Sequence, residues 1–171
     1  LIGGDNSVVF DGTDDSINRI DAIPAGGVQS FSVVADFVAN TGAEGEQVVW
    51  SMAVDPNDHG GILPDGAEIM LISRRVGTNN YAISVRTPEA DLPLGSVFSS
   101  NSTKAVVRFD ATTGTLSGTI LDPGIEADFE STSQSVIAPG VELFVGSYRN
   151  SSGFLSGQIG DFAIYDHVLT V

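Results

Sequence analysis

Residues 143–170 read LFVGSYRNSSGFLSGQIGDFAIYDHVLT, and the pattern within this run sets the fold class. Leu143, Phe144, Val145 and Gly146 form a short apolar stretch, followed by the polar turn Asn150-Ser151-Ser152-Gly153. A second stretch, roughly 158–165, alternates. Ile159, Asp161, Ala163 and Tyr165 fall on one side, and Gly160, Phe162 and Ile164 on the other. A period of two with both sides partly apolar describes a strand inside a sandwich, not a helix. The two strands are expected to form a hairpin.

The same grammar recurs along the chain. Val8-Val9-Phe10 runs into an Asp11-Gly12 turn, a strand-to-turn signal. In residues 31–38, Phe31, Val33, Ala35 and Phe37 share one face. Residues 48–52 carry Trp50, the sole tryptophan, read either as core or as a platform for a sugar ring. Residues 68–75 and 81–86 flank the polar turn 76–80, and residues 104–109 and 115–121 flank Asp110-Ala111-Thr112-Thr113-Gly114. Both pairs predict hairpins.

Composition agrees. The 171 residues include 20 glycines, as expected of a turn-rich all-β domain with a core of its own. Twenty-two acidic residues against seven basic ones give a net charge of −15, which repels nucleic acid and anionic membrane surfaces. No apolar run reaches the length of about 18 residues that a spanning helix needs. With no cysteine, disulfides, thiol nucleophiles and zinc–thiolate sites are excluded. The chain starts at Leu1 without Met or a signal-peptide pattern, as expected of a domain excised from a larger protein.

Four stretches in order resemble the laminin-G-like (concanavalin A-like) jelly-roll family. The opening F-D-G-x-D-D corresponds to Phe10, Asp11, Gly12, Asp14 and Asp15. The core strand corresponds to residues 31–38, with Asp36 where the family usually has Trp. The middle D-x-x-T-G-x-L corresponds to Asp110, Thr113, Gly114 and Leu116. The closing motif corresponds to Gly157, Ile159, Asp161, Ile164, Tyr165, Leu169 and Thr170, with Gly160-Asp161 in place of the usual Asp-Glu. The resemblance implies a single domain over residues 1–171: an all-β, two-sheet antiparallel sandwich with jelly-roll topology.

Candidate ligand-binding residues lie in the loops. The long stretch 55–68 offers Asp55, Asn57 and Asp58, but fails the EF-hand template because His59 and Gly66 occupy ligand positions. Tyr81, Tyr148, Arg149 and Asn150 could stack on or hydrogen-bond to a sugar. Arg74, Arg75 and Arg86 suit either a carboxylated sugar or the surrounding acids. Opening and closing strands are neighbours in the family, which implies a structural calcium site drawn from Asp11, Asp14, Asp15 and Asp161. Adjacent carboxylates repel unless cation or solvent intervenes, so an exposed, ion-free turn is the competing reading.

The jelly-roll family also contains glycan hydrolases and lyases. A retaining hydrolase needs carboxylates at alternate strand positions, about 5 Å apart. Glu44 with Glu46 sits in a glycine-rich stretch; Glu126, Asp128 and Glu130 alternate correctly but read as the polar face of an exposed strand. The histidines, His59 and His167, give no triad spacing. The leading expectation is a non-catalytic module of an extracellular or surface protein, of bacterial type, that binds glycan or a protein partner alongside other domains. A spacer domain and a glycan hydrolase or lyase are the alternatives.

Overall fold

The alternating segments pair into two antiparallel sheets in a computed structural model that describes residues 7–23, 30–39, 45–54, 69–87, 90–98, 101–122, 125–131, 141–148 and 152–170. The elements are β1 (Val8–Asp11), β2 (Ile17–Ile23), β3 (Phe31–Ala39), β4 (Glu46–Val54), β5 (Ile69–Arg75) and β6 (Asn80–Arg86). They continue as β7 (Asp91–Phe98), β8 (Thr103–Asp110), β9 (Thr115–Asp122), β10 (Ile125–Ser131), β11 (Val141–Val145) and β12 (Ser156–Tyr165). The first sheet has the order β1-β12-β3-β8-β9-β10 and the second β2-β11-β4-β5-β6-β7. Edge strands β7 and β10 meet where the sheets approach each other. Among the described residues no helix is long and apolar enough to cross a membrane.

The core lies between the sheets and follows the alternation. On β3, Phe31, Val33, Ala35 and Phe37 all point inward and are buried. Val107 and Phe109 of β8 continue that layer, and the rings of Phe31 and Phe109 lie 5.7 Å apart. From the second sheet come Trp50 and Met52 of β4, Leu71 of β5, and Tyr81, Ile83 and Val85 of β6. Fully burying a side chain of this size contributes roughly 1.5–3 kcal/mol each. Trp50 is fully buried, so of its two readings the core holds.

Both hairpins expected over 68–86 and 104–121 form, as β5–β6 and β8–β9. β1 pairs with β12, placing the opening beside the closing strand. The expected hairpin in 143–165 does not form. β11 pairs with β2 and β4 in the second sheet, whereas β12 pairs with β1 and β3 in the first. The connection between them crosses from sheet to sheet. Gly146 (φ +83°) sits so close to the Phe10 ring that a Cβ would lie 2.3 Å from it, a position only glycine fits. Gly146 N–H donates to the Val49 carbonyl at 2.9 Å, and Leu155 N–H to the Gly146 carbonyl at 2.8 Å.

The alternation within β12 also departs from the simple period. A bulge between Ile159 and Phe162 changes the inward parity. Ile159 is buried before it; Phe162 and Ile164 pack on the core after it. A bulge adds one residue to one strand and so moves every later side chain to the other face.

Candidate functional site

Two clusters of charged side chains stand out among the described residues. The first is the turn after β1. Asp11, Asp14 and Asp15 each offer a carboxylate oxygen, and these oxygens lie within 4.8 Å of one another. Backbone bonds set the turn: Thr13 N–H donates to Asp11 Oδ1 at 2.7 Å, and Asp11 N–H to Asp15 Oδ2 at 2.9 Å. Asp11 and Asp14 are exposed and Asp15 is half-buried. Oxygen-only donors of this kind suit calcium, which takes six to eight oxygens, so water or carbonyl groups would complete the shell. Asp161 stands apart. Asp11 pairs with Ser156, and Asp161 lies five residues further along β12, roughly 16 Å at the usual strand rise.

The second place is the outer face of the second sheet. On β6, Tyr81, Ile83 and Val85 take the inward positions, leaving Ala82, Ser84 and Arg86 outward. The register sets Glu46 opposite Arg74, Arg74 opposite Ala82, and Arg86 opposite Asp91. Four charges link up across these strands. Arg86 Nη2 donates to Glu46 Oε2 at 2.8 Å, and its Nη1 makes a second short bond to Glu46 Oε1. Arg86 Nε donates to Asp91 Oδ1 at 2.7 Å and Nη2 to Asp91 Oδ2 at 3.0 Å. Arg74 Nη2 joins Glu46 at 3.0 Å and stands 3.8 Å from Asp91.

Bidentate bonding is what planar guanidinium and carboxylate groups favour. Hydrogen bonds from Arg86 hold both Glu46 and Asp91 below the usual carboxylate range, against the opposing pull of desolvation. Bonds to Asp91 and Glu46 in turn push the Arg86 guanidinium further up. The Arg86–Glu46 pair spans the rung of Val48, Ile72 and Ser84 that the register places between them. Ile72 is fully buried on this face. Beside the network, the small residues Ala82 and Ser84 leave a depression of about 380 Å³, bounded by Arg74, Asp91, Pro93 and Ser96.

The remaining candidates divide. Tyr81 is fully buried, so its ring packs in the core and offers no stacking surface; the alternation that makes β6 a strand turns it inward. Tyr148 is half-buried and bridges to Ser152, its N–H donating to the Ser152 carbonyl at 2.9 Å. Asp55, Asn57, Asp58, Arg149 and Asn150 lie outside the described residues. Glu46 opens strand β4 instead of lying in a loop, and serves Arg74 and Arg86. Glu126, Asp128 and Glu130 lie on edge strand β10, opposite Leu121, Thr119 and Ser117 of β9. Sequence reasoning anticipated that the arginines pair with acids, but missed Asp91, Pro93 and Ser96. The available signal was the outward parity of Ala82, Ser84 and Arg86 in NYAISVR.

No protein-family model matches the sequence, and no curated protein matches it. Solved structures do resemble it. A heptameric SAP-like pentraxin from Limulus polyphemus superposes with a TM-score of 0.69 at 13% identity, over 99% of this chain and 80% of that one. The CBM40 domain of a Ruminococcus gnavus IT-sialidase, bound to α2,3-sialyllactose, gives 0.57 at 14% identity over 90% and 94%. The LG4-5 domains of the mouse laminin α1 chain give 0.58 at 10% identity, over 96% of this chain and 43% of that one. At these identities the likeness is one of fold. The chain has the two-sheet jelly-roll fold that these structures share and that its four motif stretches imply.

Proposed function

We propose that this domain is a non-catalytic binding module of a secreted or surface protein. It recognises a glycan or an extracellular protein partner, and the turn after β1 holds a structural calcium ion. The observation that carries the reading is the outer face of the second sheet. There an open depression of mixed polar and apolar lining is bordered by Asp91, which with Glu46 is tied to arginines and held ionised. A general acid needs a carboxyl group pushed up toward working pH. These two are pushed the other way, which suits fixed recognition better than proton transfer. A glycan-binding domain among the fold neighbours supports the reading by analogy.

Asp11, Asp14 and Asp15 would hold the ion, whose charge would offset three like charges at the end of β1. A ligand that binds only the folded state raises its melting temperature. Chelator-stripped protein is therefore expected to melt several degrees higher in millimolar calcium, and the Asp14→Asn/Asp15→Asn variant to lose that rise. An unchanged melting temperature in the parent protein would remove calcium from the account. For recognition, the domain is probed on a glycan array and on extracellular-matrix proteins. Saturable binding in either arm is expected, and none in both would return it to the role of a spacer.

A further inference from the structure

We infer that the depression between β5, β6 and β7 is a subsite for an uncharged saccharide. This rests on the binding-module reading and names the site and ligand class for it. Arg86 is largely committed: each of its Nε, Nη1 and Nη2 bonds Glu46 or Asp91, four hydrogen bonds from the five N–H groups of the guanidinium. Arg74 is different. Its side chain is 51% exposed and only Nη2 is engaged, so Nε and Nη1 are open donors among the described residues. Asp91, at 45% exposure, keeps acceptor capacity beyond its bonds to Arg86. The Ser84 and Ser96 hydroxyls, which either donate or accept, have no partner among the described residues. Between these groups lie the carbon surfaces of Ala82, Pro93 and Val76.

A pyranose ring presents the complement: vicinal hydroxyls that both donate and accept, around an apolar C–H face. The volume falls in the range of about 300–1,000 Å³ typical of small-molecule sites. Charge selects the ligand class. The two arginines of the network are matched by two carboxylates, and the whole chain carries −15. An anionic sugar would find no surplus cation and would have to approach Asp91. Among the described residues no aromatic ring lines the depression, since Tyr81 is turned inward, so binding depends on hydrogen bonds and is weak.

The test is an NMR titration of the ¹⁵N-labelled domain with maltotriose, cellotriose, laminaritriose and mannotriose, with trigalacturonate and 3′-sialyllactose as anionic arms. At least one neutral sugar is expected to shift amides of β6 and β7. Its Kd is expected to weaken at least tenfold in Ala82→Leu, which fills the depression, and in Arg74→Ala, which removes the open donors. Unshifted β8 and β9 amides establish that each variant is folded, and Ser96→Ala provides a milder third variant. Neutral-sugar binding that shifts other amides or ignores these variants overturns the subsite and leaves the module reading intact. Preference for an anionic sugar at β6 and β7 overturns the ligand class. No amide shifted by any sugar overturns both the subsite and the glycan reading, leaving the protein-partner reading.

Discussion

Gly146 shows how much of the fold can depend on one missing methyl group. It has a left-handed backbone and abuts the Phe10 ring at the point where the chain leaves the second sheet. Gly114, in the β8–β9 turn, is also left-handed (φ +67°) but has open space where a Cβ would go. Alanine at 114 is expected to cost about 1–2 kcal/mol for backbone strain alone. Alanine at 146 adds overpacking of about 1–3 kcal/mol against the ring. Urea unfolding of the two variants checks this, and equal losses would show that the ring contact is not a constraint. Neither environment is visible in the sequence, where both glycines simply follow a strand or turn. Tyr81 shows the same limit: its residue type suggested a sugar platform, and only its parity within β6, with Ile83 and Val85, reveals a core position.

At the scale of the strand, alternation was legible wherever it ran without interruption. β3, β6, β8 and β9 were readable because their inward residues keep a strict period of two. It misled at β12, where the bulge after Ile159 changes parity, so that Phe162 and Ile164 replace Ala163 on the inner side. β7 was missed because DLPLGSVF contains Pro93 and Gly95. Proline is tolerated in an edge strand, where one side needs no partner, and β7 is such an edge.

The charge network belongs to this scale too, because only pairing of β4, β5, β6 and β7 assembles it. Its members are one-third to one-half exposed, so solvent screening keeps its worth near the surface value of about 0.2–1 kcal/mol per pair. Glu46 and Asp91 bind protons more weakly folded than unfolded. Their contribution is therefore complete above the ordinary carboxylate range, and it is lost as pH falls through their lowered folded values. Glu46→Gln is expected to be less stable than the parent near neutral pH, by about 1 kcal/mol. The gap should close in acid and narrow in 1 M salt. Melting curves from neutral to strongly acidic pH check this; a gap that persists in acid would assign Glu46 a role other than its charge.

For the whole molecule, four short motif stretches in the right order sufficed to place the fold, because each marks a strand or turn of the two sheets. They left the connectivity of β11 and β12 undecided, since sheet membership is set by non-local pairing. They likewise left the binding surface undecided. The depression is formed by residues of three consecutive strands, Arg74, Ala82, Ser84, Asp91 and Ser96, brought together by the pairing of β5, β6 and β7, and none of them is distinctive alone. Fold and acidic turn were therefore readable from local pattern, whereas the charge network and the depression emerge only from register.

The claim that this sandwich binds without chemistry is tested most directly by melting it with each oligosaccharide of a broad panel in millimolar calcium, then analysing the recovered sugar by mass. At least one sugar is expected to raise the melting temperature and to be recovered intact after prolonged incubation. A sugar recovered shortened, or carrying the unsaturated end left by a lyase, would contradict it and establish an enzyme in its place.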